Sequence, residues 1–403
     1  MNTTNAPKHT ATSRLLSLDA LRGFDMFWII SGEEIFKGFA NAIKTEHQLL
    51  QDPANWQISI SPDLSIWEKF WIVCSNQFHH TVWNGFTFYD LIFPLFIFIA
   101  GISMDLSYSK QLIAAPDRVA LNKRNRYASL IRRTVLLILL GMVVNRALQF
   151  TGYENTRFVS VLGRIALACF FAAIIYLNCS LKQQLIWFAG LLIGYWAMMT
   201  FIPVPGFGAG MLTPEGNLAA YIDRILLPGR LHRKIYDPEG FLSTMPAVCT
   251  ALLGIFTGQF IRNDRYSGNK KSYFMAGAGV LLILAALAWN SFFPINKNLW
   301  TSSFTLFAGG WSLLLLALFY FIIDVKGFTQ WSMPFVYIGM NAILIYIASH
   351  GLVDFKSSAA FIFGGLYKHL PLIWQDGFMW IGVALIQIFL LYFLYQKKWF
   401  LKL

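Results

Sequence analysis

The residues best suited to chemistry stand at the start of a long apolar run, in FHHTVWNGFTFYDLIFPLFIFIAG at residues 78–101. His79 and His80 carry imidazoles, which can take up and release a proton near neutral pH. A histidine at a membrane interface is also commonly an ordinary interfacial side chain, and Trp83 has the same simple explanation as an aromatic anchor. The residue types alone therefore leave two interpretations open, a proton-transfer site and a plain interfacial segment.

Motifs for several other chemistries are missing from the sequence. Tandem histidines suggest a metal, but no Cys, His or carboxylate cluster accompanies them at ligand spacing, so no metal site is expected. GxSxG, HExxH and a phosphate-binding glycine loop are absent as well. The four cysteines form no CxxC pair, which predicts neither a disulfide framework nor a metal cluster.

The composition indicates a polytopic membrane protein. Of the 403 residues, 56% are hydrophobic and only 13% are charged, whereas soluble domains have roughly 25% charged residues. The mean hydropathy is +0.53. A net charge of +12 could suggest nucleic acid, but the basic residues of membrane proteins concentrate in cytoplasmic loops. The expected partner is therefore the lipid bilayer and not a nucleic acid.

Ten segments reach the length of roughly 20 mostly apolar residues that a bilayer span requires. The predicted fold is all-α, with one transmembrane domain over residues 1–403. The predicted spans are 18–36, 86–107, 129–150, 157–178, 183–203, 241–262, 272–290, 299–325, 334–353 and 377–397. Residues 356–372 are only partly apolar and are expected to form a loop or a re-entrant piece.

Basic residues orient these spans. They concentrate in the 108–133 connection, the 263–271 loop and the C-terminal tail, which fall on one side when there are ten spans. The positive-inside rule makes that side cytoplasmic, together with both termini and a tail at 1–17. The long loops 37–85 and 204–240 are then extracytoplasmic, and the stretch around His80 opens on that side.

Several predicted spans carry polar or charged side chains, which are costly in a bilayer and are usually paired or functional. Asp19, Arg22 and Asp25 are spaced i, i+3, i+6 and share one helix face. They either fix the end of the helix or form the wall of a polar passage. Others are Glu33, Asp90, Asn145, Arg146, Arg164, Asn341 and His350. Convergence of such side chains on one cavity would make a site.

Five separated stretches carry a family resemblance. They are LDALRGF (18–24), WNGFTFYDLIFPLFIFIAGIS (83–103), AAYIDRILL with YDPEGFLSTMPAV (219–248), PINKNLWTSSF (294–304), and DVKGF with PFVYIGMNAILIYI (324–347). In order and approximate spacing, over about 330 residues, they resemble the transmembrane heparan-α-glucosaminide N-acetyltransferase family. The likeness is to a compact bacterial form, without the luminal domain that precedes the spans of animal members.

The resemblance implies an enzyme that moves an acetyl group from cytoplasmic acetyl-CoA to the amine of a terminal glucosamine in a glycan across the membrane. Acetyl-CoA would be a cosubstrate, with no metal. The family's essential histidine lies in the pattern H-x-x-W-N-G, which matches His80 and not His79. His80 would act as a general base in a ternary complex, or as a covalent carrier of the acetyl group.

Further roles follow from the resemblance and the residue types. Asp90 would orient His80, and Asn84 or Asn298 would donate a hydrogen bond to the oxyanion. The residues expected around the sugar are Glu33, His79, Trp83, Asp237, Glu239, Asn298, Asn341 and His350. Asp237 and Glu239 have an alternative explanation as a turn and helix cap at DPEG.

Basic residues dominate the expected CoA site, because arginine pairs well with phosphate. The residues expected there are Asp19, Arg22, Arg124, Arg132, Arg133 and Arg164. The basic residues of the 108–133 connection, among them Arg124, Arg132 and Arg133, would also arise simply as the cytoplasmic signal of a membrane protein.

Two other functions stay open on the sequence. An O-acyltransferase of envelope polysaccharide would use similar groups on a hydroxyl, and a small-solute transporter would also place Arg and Asp within its spans. The clear repeats of many transporters are lacking. The resemblance further implies the bacterial inner membrane, an active site open to the periplasm, and a homodimer by family analogy.

Overall fold

The computed structural model describes residues 15–114, 119–149 and 152–401, and over these ranges the fold is all-α, as predicted, without β-strands. Of the predicted tail 1–17, residues 1–14 lie outside the described residues. The first helices are α1 (Leu16–Phe27), α2 (Glu33–Glu46), α3 (Ile66–Gln77), α4 (Phe88–Ala114), α5 (Val119–Val144), α6 (Val161–Asn178) and α7 (Leu181–Phe201). The later helices are α8 (Leu218–Leu226), α9 (Thr244–Ile261), α10 (Gly268–Asn290), α11 (Ser302–Phe319), α12 (Met333–Met340), α13 (Ala342–Ile347), α14 (Phe355–Tyr367) and α15 (Gln375–Gln396).

Among the described residues, eight segments are long and apolar enough to cross a membrane. They match eight predicted spans and are Phe88–Ser109, Arg124–Val144, Val161–Asn178, Leu181–Phe201, Thr244–Ile261, Gly268–Asn290, Ser302–Val325 and Leu372–Gln396. The predicted span 334–353 is split instead, because the helical segments Gln330–Met340 and Ala342–Leu352 meet with a bend of 67°. Taken as one span, the bent pair raises the number to nine within the described part of the chain.

The predicted span 18–36 is helical but is not among these apolar spans. α1 continues through a π-helical turn at Trp28–Gly32 into α2, so helix runs from Leu16 to Glu46. Its charged residues are Asp19, Arg22, Asp25, Glu33, Glu34, Lys37, Lys44 and Glu46. The helix packs closely on α12, since a Cβ added to Gly23 would lie 1.6 Å from the Phe335 carbonyl oxygen. Protein neighbours therefore cover a helix that is too polar to face lipid.

The helices alternate in direction, so one end of the bundle gathers the starts of α4, α6, α9 and α11 with the ends of α5, α7 and α10. We call this the His80 end. The predicted loop 37–85 lies there and contains most of α2 and all of α3, and the loop 204–240 contains α8. Residues 356–372 include α14, a helix of 13 residues and thus too short to span.

α4 and α9 pack so closely that their backbones nearly touch. A Cβ added to Gly101 would lie 2.2 Å from the Ala251 carbonyl oxygen, so only glycine fits there. Beyond this contact, Arg262 donates hydrogen bonds of 2.7 and 2.8 Å to Asp105, whose side chain is fully buried. The tight contact and the ion pair fix α4, the helix that carries Asp90.

Candidate active site

A cavity of about 650 Å³ opens at the His80 end of the bundle. Its wall combines the loop before α4, the start of α4, the start of α6, the loop before α9 and the loop before α11. Six of the predicted site residues line it: His79, His80, Asp90, Glu239, Asn298 and His350. Polar side chains that are far apart in the sequence thus converge on one space, as the sequence analysis required of a site.

His80 and Asp90 form the central pair of the cavity. Nδ1 of His80 lies 2.7 Å from Oδ1 of Asp90, a distance at which a protonated Nδ1 donates to the carboxylate. The Asp90 side chain is 1% exposed, whereas that of His80 is 47% exposed. The other carboxylate oxygen accepts hydrogen bonds from the Thr87 amide at 3.1 Å and the Thr81 hydroxyl at 3.1 Å. Asp90 is therefore fixed from several directions, and it fixes His80.

This arrangement leaves Nε2 of His80 as the ring nitrogen with a lone pair available to a substrate. The ring packs against Tyr89, with centroids 4.7 Å apart. Burial and the charge of Lys297 lower the pKa of His80 despite the raising effect of Asp90, which favours the neutral imidazole at pH 7. Burial likewise lowers the pKa of His79 to about 4. A neutral imidazole held by a carboxylate is the form that accepts a proton.

Lys297 lies beside His80 and was missed by the sequence analysis. Its Nζ lies 3.0 Å from Nδ1 and 3.1 Å from Nε2 of His80, and 3.5 Å from Oδ1 of Asp90. Almost equal distances to the two ring nitrogens place the ammonium against the ring rather than on either lone pair. Lys297 stands in PINKNLW, a stretch already singled out, directly before the Asn298 that was chosen instead. The feature of the sequence that could have identified Lys297 is its position in a polar loop at the His80 end.

Two loops are joined so that Lys297 reaches His80. The Asn296 side chain donates to Oδ1 of Asn84 at 3.1 Å, and the Gly85 amide donates to the Ile295 carbonyl at 2.9 Å. Oδ1 of Asn296 also accepts from the Leu299 amide at 2.9 Å. Asn84, predicted as an oxyanion donor, is thus placed in the joint between the loops and is not among the residues that line the cavity.

An arginine and two acids form the opposite wall. Arg157 donates to both oxygens of Asp237, at 2.9 and 2.5 Å, and to Glu239. The Arg157 charge lowers the pKa of Asp237 in spite of its burial, whereas burial raises the pKa of Glu239. Asp237 is fully buried behind the wall, and Glu239 reaches the cavity. Arg164 supports this segment from inside, donating to the Gly240 carbonyl at 2.8 Å and to the Ser243 hydroxyl at 2.5 Å.

Besides Asp237, three residues predicted around the sugar lie outside the cavity wall. Glu33 accepts from Lys37 at 3.1 Å. Trp83 donates from Nε1 to the Leu212 carbonyl at 2.8 Å. Asn341, at the bend between α12 and α13, donates to the Trp399 carbonyl at 2.9 Å. These three contacts are structural within the protein.

A second, smaller cavity of about 140 Å³ lies between α4, α5 and α6. Arg133 lines it, while Arg124 and Arg132 are exposed. Ile165 of α6 lines both cavities, so the two spaces lie on either side of this residue along the helix. Arg22 donates hydrogen bonds to the Ser103 hydroxyl at 2.7 Å and to Asp19 at 3.2 Å. Ser103 lines the second cavity. Apart from Arg164, the residues predicted to bind CoA thus line the second cavity, lie on a helix that forms it, or are linked to it through Ser103.

Comparison with known proteins gives a family. Residues 67–293 match the family described as heparan-alpha-glucosaminide N-acetyltransferase, catalytic. The chain belongs to this family. It is 30% identical to the human heparan-alpha-glucosaminide N-acetyltransferase and 28% identical to the mouse protein, each over 83% of the chain. The matched region covers 56% and 57% of these two relatives, so the chain spans about half the length of each.

Most of the cavity wall lies in the segment that matches the heparan-alpha-glucosaminide N-acetyltransferase family. His80, Asp90, Arg157 and Glu239 are inside it, and Lys297 follows four residues after its end. Among the described residues, no group of three or more His, Cys, Asp or Glu side chains is arranged to hold a metal ion.

Proposed function

We propose that the protein is an N-acetyltransferase that moves the acetyl group of acetyl-CoA to the amine of a terminal glucosamine in a glycan. The observation that carries this proposal is the state of His80: the buried Asp90 holds Nδ1, and the half-exposed ring faces a cavity of about 650 Å³. Membership of the family supplies the reaction class.

The donor would approach from the second cavity. Arg133 lines that cavity, and Arg126, seven residues earlier on the same helix, is buried. Nε and Nη2 of Arg126 have no hydrogen-bond partner among the described residues. Guanidinium groups pair well with phosphate, so this pair suits the phosphates of CoA. A displacement of Ile165 would join the cavities and let the thin pantetheine arm reach His80.

The acceptor would enter the larger cavity from the His80 end. Glu239 supplies a carboxylate to an amine or hydroxyl of the sugar, and Asn298 and His350 supply further polar contacts. The basic residues of α5 and of the 263–271 loop lie at the other end of the bundle, which the positive-inside rule assigns to the cytoplasm. The His80 end would then face the periplasm of a bacterial inner membrane.

In the reaction, Nε2 of His80 takes a proton from the amine as the amine nitrogen attacks the thioester carbon. The C–S bond breaks when the tetrahedral intermediate collapses, and the leaving thiolate receives the proton from His80. Asp90 stabilises the imidazolium that exists between these steps, since its carboxylate bonds to Nδ1. We favour direct transfer because a neutral imidazole needs no separate activating base to do this.

The test is acetyl transfer from radiolabelled acetyl-CoA to free glucosamine by protein purified in detergent. The wild type is compared with His80→Ala and with His369→Ala, a matched change at an exposed histidine. We expect transfer by the wild type and His369→Ala, and a loss of about 10²- to 10⁴-fold in His80→Ala, the usual contribution of a general base.

Each alternative outcome has a definite meaning. Transfer that survives His80→Ala would remove His80 from the chemistry. Transfer only to hydroxyl acceptors would indicate an O-acyltransferase. Absence of both transfer and CoA binding by a folded protein would contradict the proposal and favour a transporter.

A further inference from the structure

We propose that the ammonium of Lys297 binds the carbonyl oxygen of the acetyl group and stabilises the negative charge that develops there during transfer. The inference rests on the acetyl transfer proposed above and adds a catalytic residue to it. Neither the predicted residue set nor the matched family segment includes Lys297, which is placed at the site by the three-dimensional structure.

The position of Nζ is the first argument. It lies 3.1 Å from Nε2 of His80, the nitrogen that must face the attacking amine because Asp90 occupies Nδ1. In the tetrahedral intermediate, the amine nitrogen and the oxyanion are bonded to the same carbon. A donor that stands beside the base is therefore also beside the oxygen that becomes charged.

The donors of Lys297 are the second argument. An ammonium has three N–H groups, and the carboxylate contact that it makes, to Asp90 at 3.5 Å, is long for a hydrogen bond. The Lys297 side chain is only 14% exposed, so little water competes for the remaining donors. Burial lowers the pKa of Lys297, while Asp90 and Glu239 oppose that effect. The ammonium thus keeps donors for an anion that forms in the cavity.

The charge balance of the site is the third argument. The groups with the largest electrostatic effect on Lys297 include Asp90, Glu239 and Glu33, and His80 lies in contact with it. When His80 takes the proton of the amine, two cations would stand side by side. An oxyanion between them removes that repulsion, so proton transfer and attack favour each other.

The electron balance is the same as in the proposed reaction. The amine lone pair forms the N–C bond, and the π electrons of the carbonyl move onto oxygen beside Lys297. They return when the C–S bond breaks. If His80 carried the acetyl group covalently, the same oxygen would bear the charge as Nε2 attacked, so the role of Lys297 does not depend on the order of steps.

The first test compares steady-state kinetics of Lys297→Met, Lys297→Arg and the wild type. Loss of one oxyanion donor costs about 10²- to 10³-fold in kcat, so we expect that loss in Lys297→Met with little change in KM for acetyl-CoA. Lys297→Arg keeps the cation and should recover part of the rate. Lys356→Met is the matched control, because Lys356 pairs with Asp376 at a half-exposed site away from the cavity.

The second test reads the carbonyl bond itself. Acetyl-CoA labelled with ¹³C at the carbonyl is bound to His80→Ala protein, with Lys297 intact or changed to Met, and the infrared difference spectrum is recorded. A cation on the oxygen weakens the C=O bond, so the stretch should lie at lower frequency when Lys297 is present. A lysine that only supports the fold would leave the frequency unchanged. If Lys297→Met proves unstable, Lys297→Gln, which also removes the charge, replaces it in both tests.

The outcomes separate this inference from the proposed function. An active wild type whose Lys297 variants keep the wild-type kcat, or lose rate without any change in carbonyl frequency, would overturn the role of Lys297 alone. A folded wild type that transfers no acetyl group would overturn both proposals. Loss of kcat together with a higher carbonyl frequency would support the assignment.

Discussion

Replacing Asp90 with asparagine should abolish most of the activity while leaving the size of the side chain unchanged. In the wild type, the carboxylate accepts from Nδ1 of His80 at 2.7 Å, which keeps the proton on Nδ1 and the lone pair on Nε2. The amide of asparagine can donate to Nδ1 instead, which moves the ring proton to Nε2. His80 would then present a donor where the reaction requires a base.

The size of the effect follows from what is removed. General base catalysis contributes about 10²- to 10⁴-fold, equivalent to about 3–5 kcal/mol of activation free energy. Asp90 also loses its charge beside His80 and Lys297, both within 3.5 Å, so the imidazolium in the reaction loses its counter-ion. We expect kcat to fall by about 10³-fold, with a smaller change in KM for acetyl-CoA.

The assay is radiolabelled acetyl transfer to glucosamine at saturating substrates, with folding monitored by thermal unfolding in detergent. Asp105→Asn is the matched control. Asp105 is as buried as Asp90 and is bonded to Arg262 and Tyr176 at the opposite end of α4. It should lower Tm but leave the turnover of the folded fraction close to that of the wild type. An Asp90→Asn protein that turns over within threefold of the wild type would refute the role of Asp90 in holding His80.

Three further predictions concern pH and packing. The rate kcat/KM should rise with pH through a midpoint below 6.5, because the pKa of His80 is lowered and its neutral form is the base; His79, with a pKa of about 4, should not contribute. Burial raises the pKa of Asp223 to about 7, so the folded state binds more protons than the unfolded state and stability should fall as pH rises from about 4 to about 7; Asp223→Asn should flatten that dependence of Tm. Gly101→Ala should lower Tm by several degrees, because its Cβ would meet the Ala251 carbonyl oxygen at 2.2 Å, whereas Gly277→Ala meets nothing within 4 Å and should be neutral.

Each of these has a result that would count against it. A rate midpoint above 7 would mean that His80 is not held neutral. An unchanged pH dependence of Tm in Asp223→Asn would show that this carboxyl is not the one that titrates. Equal Tm values for the two glycine variants would contradict the close contact of α4 with α9.

Apolar composition and length alone predicted the membrane class and most spans. The residue types did not single out one histidine, and His80 was selected by its match to the H-x-x-W-N-G pattern of the family. Lys297 was not predictable in the same way, because its proximity to His80 links positions 217 residues apart. That proximity depends on the loop joint made by Asn84 and Asn296, whose amides meet only in the folded chain.

The first helix shows a second limit of sequence patterns. Its charged residues lower the hydropathy that identifies a span, yet the helix packs within the bundle through the close approach of Gly23 to α12. Burial by neighbouring helices, which the chain acquires only on folding, decides whether such a segment can lie in a membrane. The sequence did not reveal the bend at Asn341, because the residues on either side are apolar and read as one continuous span.

Ile165 lies between the two cavities and lines both of them. If the bundle spans a bilayer, a branched apolar side chain between the two cavities would act as a barrier to water and ions, because a narrow hydrophobic constriction does not stay wet. The voltage across the membrane would then drop over a short distance at this residue. An acyl group on a slender carrier could pass while protons and salt are retained, so chemistry between the two compartments would not discharge the membrane.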